Sequence, residues 1–143
     1  MAEQNYANHR RLVPMYHFVA SFLILALLIG SVVNLIKSFG TSGLYSASLL
    51  VVVAVVLAIL FYYMRVFPLK AQDRAIRAEE NLRHYVLTGK LLDPRLDIRQ
   101  IIGLRFAGDE EFPELEKRAV AEGLTEDAIK RAIKTWRPDL YRV

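Results

Sequence analysis

The hydrophobic positions of this chain are concentrated in two uninterrupted blocks in its N-terminal half. Residues 16–36 and residues 44–64 each comprise twenty-one positions without a formally charged side chain. At about 1.5 Å of rise per residue, either block is long enough as a helix to cross a hydrocarbon core of roughly 30 Å. The second block is rich in β-branched residues, but strands rarely exceed about 10 residues, and a backbone in lipid must satisfy its hydrogen bonds internally. The pattern therefore predicts two transmembrane helices.

The connection between the two blocks is too short for anything but an antiparallel pair of helices. Residues 37–43 read Lys-Ser-Phe-Gly-Thr-Ser-Gly, which is turn-forming chemistry. Both chain ends should therefore lie on the same side of the membrane. Lys and Arg near the ends of spans are retained in the cytoplasm, and the loop carries only Lys37. The flanking cations that predict cytoplasmic termini are Arg10, Arg11, Arg65, Lys70, Arg74 and Arg77.

A cleaved signal peptide is the alternative interpretation of the first block, because Arg10 and Arg11 precede an apolar stretch. That stretch is longer than the apolar region of a signal peptide, and no convincing small-x-small cleavage site follows it before the second block. We therefore favour a retained helix. Neither block contains Asp, Glu, Lys or Arg, so a proton relay or a charge-lined ion path lacks the residues that usually indicate it.

The first block carries a face suited to close helix packing. Ala26, Gly30 and Asn34 recur at four-residue spacing, which places two small side chains and one amide on the same side of a helix. We favour packing of this face against the second block of the same hairpin, through Ala54 and Ala58. The alternative is contact with another helix, in a dimer or a complex with a partner.

After the second block the chain becomes amphiphilic. Residues 65–89 predict a juxtamembrane amphipathic helix, in which apolar residues recur among Arg, Glu and Gln and which ends at Gly89. Pro68 disfavours helical geometry for the residue before it, so we expect a break between the second span and this helix. The cations of the helix should attract anionic lipid head groups, although nearby carboxylates offset much of that attraction.

Residues 90–143 predict a small cytoplasmic helical module. Asp97 and Gln100 fit a capping box before a short helix, an acidic stretch precedes a helix that runs to Gly123, and Thr125 fits the N-cap of a last helix that Arg137-Pro138 stops. Whether this module folds alone is left open, because domains this small are marginal. Its apolar side chains form a candidate face for a protein partner, namely Phe112, Leu115, Ile129, Ile133 and Trp136.

The composition excludes several kinds of chemistry. The chain has no cysteine, so disulfides, thiolate metal sites and cysteine nucleophiles are excluded. Its three histidines lie far apart and predict no metal site, and the spacing of Glu80 and His84 favours a surface pair over an acid–base couple. Residues 65–143 contain 16 Lys and Arg against 14 Asp and Glu, which is too mixed for a nucleic-acid surface. We expect no cofactor and no catalytic activity.

Several sequence motifs point to a protein family. They are residues 78–85 (AEENLRHY), 87–90 (LTGK), 98–107 (IRQIIGLRFA), 109–112 (DEEF) and 133–137 (IKTWR). In these the chain resembles a family of small uncharacterised bacterial proteins with a two-span hairpin and a C-terminal helical module, a domain of unknown function. The likeness covers essentially the full length. It implies a bacterial inner membrane as the setting and transfers no catalytic residue.

The expected fold class is an all-α membrane protein with a two-helix transmembrane hairpin, a cytoplasmic amphipathic helix and a small helical tail domain. Residues 1–15 would be a cytoplasmic N-terminal segment. The expected function is that of a non-catalytic scaffold or accessory subunit, which recruits or stabilises a partner at the inner membrane. Membrane lipid, a second copy of the chain or another subunit of a membrane complex are the expected partners. The alternative is an oligomeric pore or a transporter accessory subunit.

Overall fold

The computed structural model describes residues 4–139, so the ends of the predicted N-terminal segment and module, residues 1–3 and 140–143, lie outside the described residues. Within that range a π-helical segment (Met15–Ala20) leads into α1 (Ser21–Lys37), followed by α2 (Leu44–Thr88), α3 (Ile98–Leu104), α4 (Phe112–Glu122) and α5 (Glu126–Ala132). The predicted all-α fold is confirmed for these residues. Two helical stretches, Met15–Lys37 and Leu44–Thr88, are long and apolar enough to cross a membrane.

The chain forms two compact units. Arg11–Phe67 form the first, which we call the hairpin unit. The residues up to Arg10, together with those from Pro68 onward, form the second, which we call the module. The long helix α2 contributes its first part to the hairpin unit and the remainder to the module. The module is therefore assembled from both flanks of the hairpin.

In the hairpin unit, the residues withdrawn from the surface recur every three or four positions along each helix. Ser31 of α1 and Ala47 and Ala54 of α2 are buried, and their neighbours on the same faces are half-buried. This spacing is typical of two helices packed along their length. The Tyr16 and Phe61 rings also stack with centroids 4.4 Å apart, and the Tyr16 hydroxyl donates to the Phe61 carbonyl oxygen over 2.7 Å.

The face of α1 that carries the small residues is not the one used in this packing. Ala26, Gly30 and Asn34 are all exposed, so the prediction that they pack within the hairpin is wrong. Ala54 is buried and Ala58 is half-buried, which confirms that these two belong to the packed face of α2. Successive residues of a helix are rotated by about 100°. The packed face of α1, which contains Ser31, therefore lies to one side of the face that carries the small residues. Their contact with another helix stays a prediction.

The predicted break at Pro68 is wrong, because α2 continues through it to Thr88. Proline in a helix interior removes one backbone hydrogen bond and crowds a carbonyl of the preceding turn, which can kink a helix without ending it. Beyond Pro68, α2 is held by side chains that enter the module core, such as Ile76. The predicted end of the helix at Gly89 is confirmed, and Gly89 has a positive φ of 74°.

The local signals for the three short helices are confirmed. The Gln100 backbone N–H donates to Asp97 Oδ1 over 2.7 Å, and the Asp97 N–H donates to Gln100 Oε1 over 2.9 Å, so the capping box is complete. Thr125 accepts a hydrogen bond from the Ala128 N–H at the start of α5. Gly123 follows α4 with a φ of 60°, a conformation that glycine adopts without strain.

The apolar side chains of these helices pack on one another and form the core of the module. The predicted partner face is therefore wrong: Phe112, Leu115, Ile129 and Ile133 are buried in the core, and Trp136 packs against it. Helices of 7 to 11 residues have little stability in isolation, so they bury their apolar faces within the module. The largest fully buried side chains are Phe106, Phe112, Ile101, Leu104 and Ile129.

The last helix ends earlier than predicted. α5 stops at Ala132, and Ile133 has an extended backbone conformation. Trp136 forms an antiparallel bridge with Ala107, in which the Gly108 N–H donates to the Thr135 carbonyl and the Arg137 N–H donates to the Phe106 carbonyl, both over 2.8 Å. This pairing with a distant segment replaces the helical bonds that the apolar spacing predicted.

Candidate functional site

The part of α2 that belongs to the module carries polar side chains into its interior. Only 5% of Glu80 and 7% of His84 is exposed. Their four-residue spacing predicts a surface pair, and that prediction is wrong, because both are buried and each has other partners. Burying a polar group costs folding free energy unless the group is hydrogen-bonded or paired. The partners of these two side chains therefore define a candidate site.

Glu80 lies between two guanidinium groups. Arg83 Nη1 is 3.0 Å from Glu80 Oε2, and Arg137 Nη1 is 3.6 Å from Oε1. Burial raises the pKa of Glu80 above its ordinary value, although both arginines act to lower it. Because the folded pKa of Glu80 is raised, its charged form costs stability in the folded module. This cost shrinks as the pH falls through the raised pKa and is gone below the ordinary Glu pKa.

Arg83 connects α2 to the segment that follows α3. Its Nε donates to Asp109 Oδ1 over 2.7 Å, and its Nη2 donates to the carbonyl oxygen of Ala107 over 2.6 Å. The guanidinium group also lies 4.3 Å from the centre of the Phe112 ring. One half-buried cation therefore holds Glu80 and the backbone after α3 at the same time.

Arg105 is the second half-buried cation of the module. Its Nη2 is 3.2 Å from Asp139 Oδ2, and its guanidinium group lies 4.7 Å from the centre of the Phe106 ring. Burial lowers the pKa of Arg105, and its Nε has no hydrogen-bond partner among the described residues. A buried donor without a partner is unusual in folded proteins and marks this position as a candidate contact for a small polar group.

A cavity of about 180 Å³ lies between the Glu80–Arg137 pair and the Arg105–Asp139 pair. This volume is below that of sites for drug-sized ligands and suits a few waters or a small ion. Three carboxylates and two guanidinium groups line it, so both signs of charge are present. It is lined by Gln72, Ala75, Ile76, Glu79, Glu80, Arg105, Arg137, Pro138 and Asp139.

His84 has a structural role at the end of α2. Its Nδ1 lies 2.8 Å from the carbonyl oxygen of Lys90, which can only accept, so this nitrogen carries the proton. The Thr88 hydroxyl donates to the His84 carbonyl over 2.7 Å, and the His84 ring meets the Phe112 ring edge-on. These contacts hold the turn after the helix, and no carboxylate of residues 4–139 bonds to the imidazole.

The N-terminal segment packs on the module, which the sequence did not predict. The Tyr6 hydroxyl donates to Asp127 Oδ1 over 2.6 Å and accepts from Arg131 Nε over 3.1 Å. The hydrogen bond from Tyr6 lowers the pKa of Asp127. Since the folded pKa is lowered, the stability from this contact is present above the ordinary Asp pKa of 3.8 and is lost as the pH falls through the lowered value.

His9 continues this docking into the aromatic part of the module. Its ring lies 5.9 Å from the Phe106 ring and 5.8 Å from the Trp136 ring, measured between centroids. Lys130 Nζ is 3.4 Å from His9 Nε2. At the other end of the segment, the Asp139 backbone N–H donates to Gln4 Oε1 over 2.7 Å. No short motif in the sequence signals these contacts, because they join segments at opposite ends of the sequence.

The predicted flanking cations are mostly at the surface. Arg10, Arg11, Lys70, Arg74 and Arg77 are exposed, and Arg65 is half-buried. Their role at a membrane stays a prediction. Among residues 4–139, no three His, Asp or Glu side chains come together as metal ligands would. That the protein needs no cofactor also stays a prediction.

The fold and the buried charge cluster together define a class: a helical protein in which a hairpin of two apolar helices is joined to a small module built from both of its flanks. Residues 1–143 match a family model described as a family of unknown function, DUF6526, and the chain belongs to that family. The predicted resemblance to an uncharacterised family is confirmed, while its bacterial setting stays a prediction. No curated protein and no solved structure matches the sequence.

Replacing Arg83 should destabilise the module in a pH-dependent way. Arg83→Leu leaves the buried Glu80 carboxylate with only Arg137, and breaking a buried pair in this way costs about 3–5 kcal/mol. Protonation of Glu80 removes the unpaired charge, so the loss should shrink as the pH falls from 7 toward 5. The chain has a single tryptophan, Trp136, which lies in the module, so its fluorescence during denaturant unfolding of the full chain reports the change.

Two further variants check this explanation. Arg118→Leu removes an ion pair with Glu122 that is about half exposed at both ends, and it should cost far less with little pH dependence. Glu80→Gln added to Arg83→Leu should recover part of the lost stability. If Arg83→Leu costs no more than Arg118→Leu, or if the loss is the same at both pH values, the buried pair is not what holds α2 in the module.

Removing the Tyr6 hydroxyl should loosen the N-terminal segment. Tyr6→Phe loses the bond to Asp127, so trypsin should cleave after Arg10 or Arg11 about three to ten times faster. Tyr45→Phe makes the same chemical change at an exposed residue of the hairpin unit and serves as the control. Time courses of cleavage of the full chain in detergent measure both. Equal rates for the two variants would show that the Tyr6 contact does not hold the segment.

Proposed function

We propose that this protein is a membrane-anchored, non-catalytic interaction protein of the bacterial inner membrane. The hairpin unit would anchor the chain, and the module would hold a partner or a second copy of the chain beside the bilayer. The observation that carries this proposal is the joining of two long helices, each with a charge-free apolar stretch, to a module with a closed apolar core. Such helices satisfy their backbone hydrogen bonds internally and are therefore compatible with lipid.

The composition of the module supports an orientation with both termini in the cytoplasm. Tyr6 precedes the hairpin and Asp127 follows it, yet the two side chains are hydrogen-bonded in one module. Both flanks of the hairpin must then lie on the same side of a membrane. The cations of those flanks outnumber the single Lys37 of the loop, and positive charge is retained on the cytoplasmic side.

A non-catalytic role is supported by how the buried polar groups are used. Glu80, Arg83 and His84 each bond to neighbouring parts of the module. The cavity lining offers charges of both signs, without the apolar pocket around a single carboxylate that suits a general acid. Because the raised pKa of Glu80 belongs to a paired carboxylate, a structural ion-pair network is the simpler explanation.

An oligomeric pore is the second candidate. The exposed face of Ala26, Gly30 and Asn34 on α1 is open to another helix, which a pore of several copies would need. The spans contain no charged residue that would line an ion path. The anchored interaction protein is therefore preferred, and the conductance of proteoliposomes carrying the purified chain distinguishes the two.

The orientation can be tested with single cysteines, because the chain has none of its own. Thr41→Cys in the loop should react with a membrane-impermeant maleimide applied to intact cells. Lys117→Cys on the exposed side of α4 should react only after the membrane is opened. Labelling of Lys117→Cys from outside would exclude a cytoplasmic module. Recovery of the chain in the supernatant after ultracentrifugation without detergent would exclude the membrane anchor altogether.

The interaction role can be tested by mass. In a mild detergent, the full chain solubilised from native membranes should form a particle that contains more protein than one 16.3 kDa chain. Light scattering with the detergent contribution subtracted measures this, and peptide mass spectrometry identifies whatever accompanies the chain. A chain that is strictly monomeric and free of partners under these conditions would contradict an interaction function while leaving the anchor intact.

A further inference from the structure

The module exposes one apolar face on α2. Leu82 is 64% exposed and Tyr85 is 54% exposed, and their three-residue spacing places them on the same side of the helix. Three alanines continue the same stripe toward Pro68 and are also exposed. We call this stripe the seam, and it consists of Ala71, Ala75, Ala78, Leu82 and Tyr85.

The spacing of the seam is that of a two-helix coiled coil. Successive seam residues are four, three, four and three positions apart, which averages 3.5 residues. This is the repeat that keeps an apolar stripe facing a partner helix along its whole length. In heptad terms Ala75 and Leu82 occupy the a positions, while Ala71, Ala78 and Tyr85 occupy the d positions.

The seam is not needed for packing inside the module. Ile76, Glu80 and His84 are the buried residues of this part of α2. At about 100° per residue, their stripe lies on the opposite side of the helix from the seam. The same helix therefore has one face committed to the module and a second, exposed apolar face, at whose edge Ala75 borders the cavity.

Charged residues beside the seam indicate what the partner is. Arg74 lies at the g position and Glu79 at the next e position of the heptad. In a parallel pair of helices, a g residue lies beside the e residue five positions later on the other helix. Arg74 of each copy would thus meet Glu79 of the other, twice by symmetry. Both side chains are exposed, and neither forms an ion pair within residues 4–139.

We propose that the seam binds a second copy of this chain, so that the two α2 helices pair in parallel. This inference rests on the proposed function, because two copies anchored in one membrane with the same orientation present their α2 helices in the same direction. An antiparallel pair would place g beside g and e beside e, where Arg74 and Glu79 meet no opposite charge. The paired alanines let the helices approach closely near Pro68, and Leu82 and Tyr85 bury the larger area.

Oxidative crosslinking in native membranes tests the contact directly, since the chain has no cysteine of its own. Ala78→Cys lies at a d position and should give a disulfide-linked dimer with copper phenanthroline and dissolved oxygen. Arg77→Cys, one residue away, lies at a c position that faces outward, and it is the matched control. A dimer from Ala78→Cys and little from Arg77→Cys is expected. Equal crosslinking of the two variants, or no crosslinking of Ala78→Cys, would contradict the proposed contact through the seam.

The direction of the pair is tested at the two ends of the seam. In a parallel pair, Ala71→Cys should crosslink to itself and Tyr85→Cys to itself. When a chain with Ala71→Cys is co-expressed with a chain with Tyr85→Cys, few disulfides should join the two different chains. Mixed dimers without either self-crosslink would show an antiparallel pair and overturn the proposal.

Charge reversal tests the predicted ion pair. Arg74→Glu places two carboxylates side by side at each contact and should raise the dissociation constant of the detergent-solubilised dimer about three- to tenfold. Adding Glu79→Arg should restore dimerisation, which a general loss of structure would not. Trp136 fluorescence confirms that each variant remains folded.

The results separate this inference from the proposed function. If the chain stays in the membrane with additional protein mass but the seam cysteines do not crosslink, the seam is wrong and the anchored interaction protein stands. If the chain is recovered without membranes, the proposed function fails first. If the variant with both Arg74→Glu and Glu79→Arg is folded but dimerises as weakly as Arg74→Glu alone, the parallel pairing is contradicted.

Discussion

The ion pair between Glu80 and Arg83 is the constraint on which the module depends. Removing both charges from water is costly and is offset only when the geometry is good and the remaining donors are bonded. Arg83 meets this condition by also binding Asp109 and the carbonyl oxygen of Ala107, while Arg137 approaches Glu80 from the chain after α5. One face of α2 is thereby held against two segments that are distant in sequence.

The closure of the module determines which surfaces remain for partners. The apolar residues of α4 and α5 that suggested a docking face are used in the core, and the N-terminal segment covers part of the aromatic surface around Trp136. The side of α2 that faces away from the core stays exposed. An interaction protein of this architecture would therefore bind through the long helix that also forms its second span.

Much of the fold was predictable from local sequence. The two apolar blocks, the turn between them, the capping box at Asp97 and the cap at Thr125 involve residues within a few positions of one another. The errors arose where distant contacts prevailed. Pro68 did not end α2, because residues beyond it are anchored in the core, and α5 ended at Ala132, because Trp136 pairs with Ala107. The buried state of Glu80 was missed for the same reason, since its partner Arg137 lies 57 positions away.

The sequence by itself determined the helical segments, their apolar or amphipathic character and most of their ends, because hydrophobic period, caps and turn residues act over one or two turns of chain. Only the tertiary structure decided which face of each helix is buried. It also decided that Tyr6 binds Asp127, 121 positions away, so that both flanks of the hairpin form one module. Such contacts depend on the arrangement of whole elements, and neither the spacing nor the identity of the residues specifies it locally.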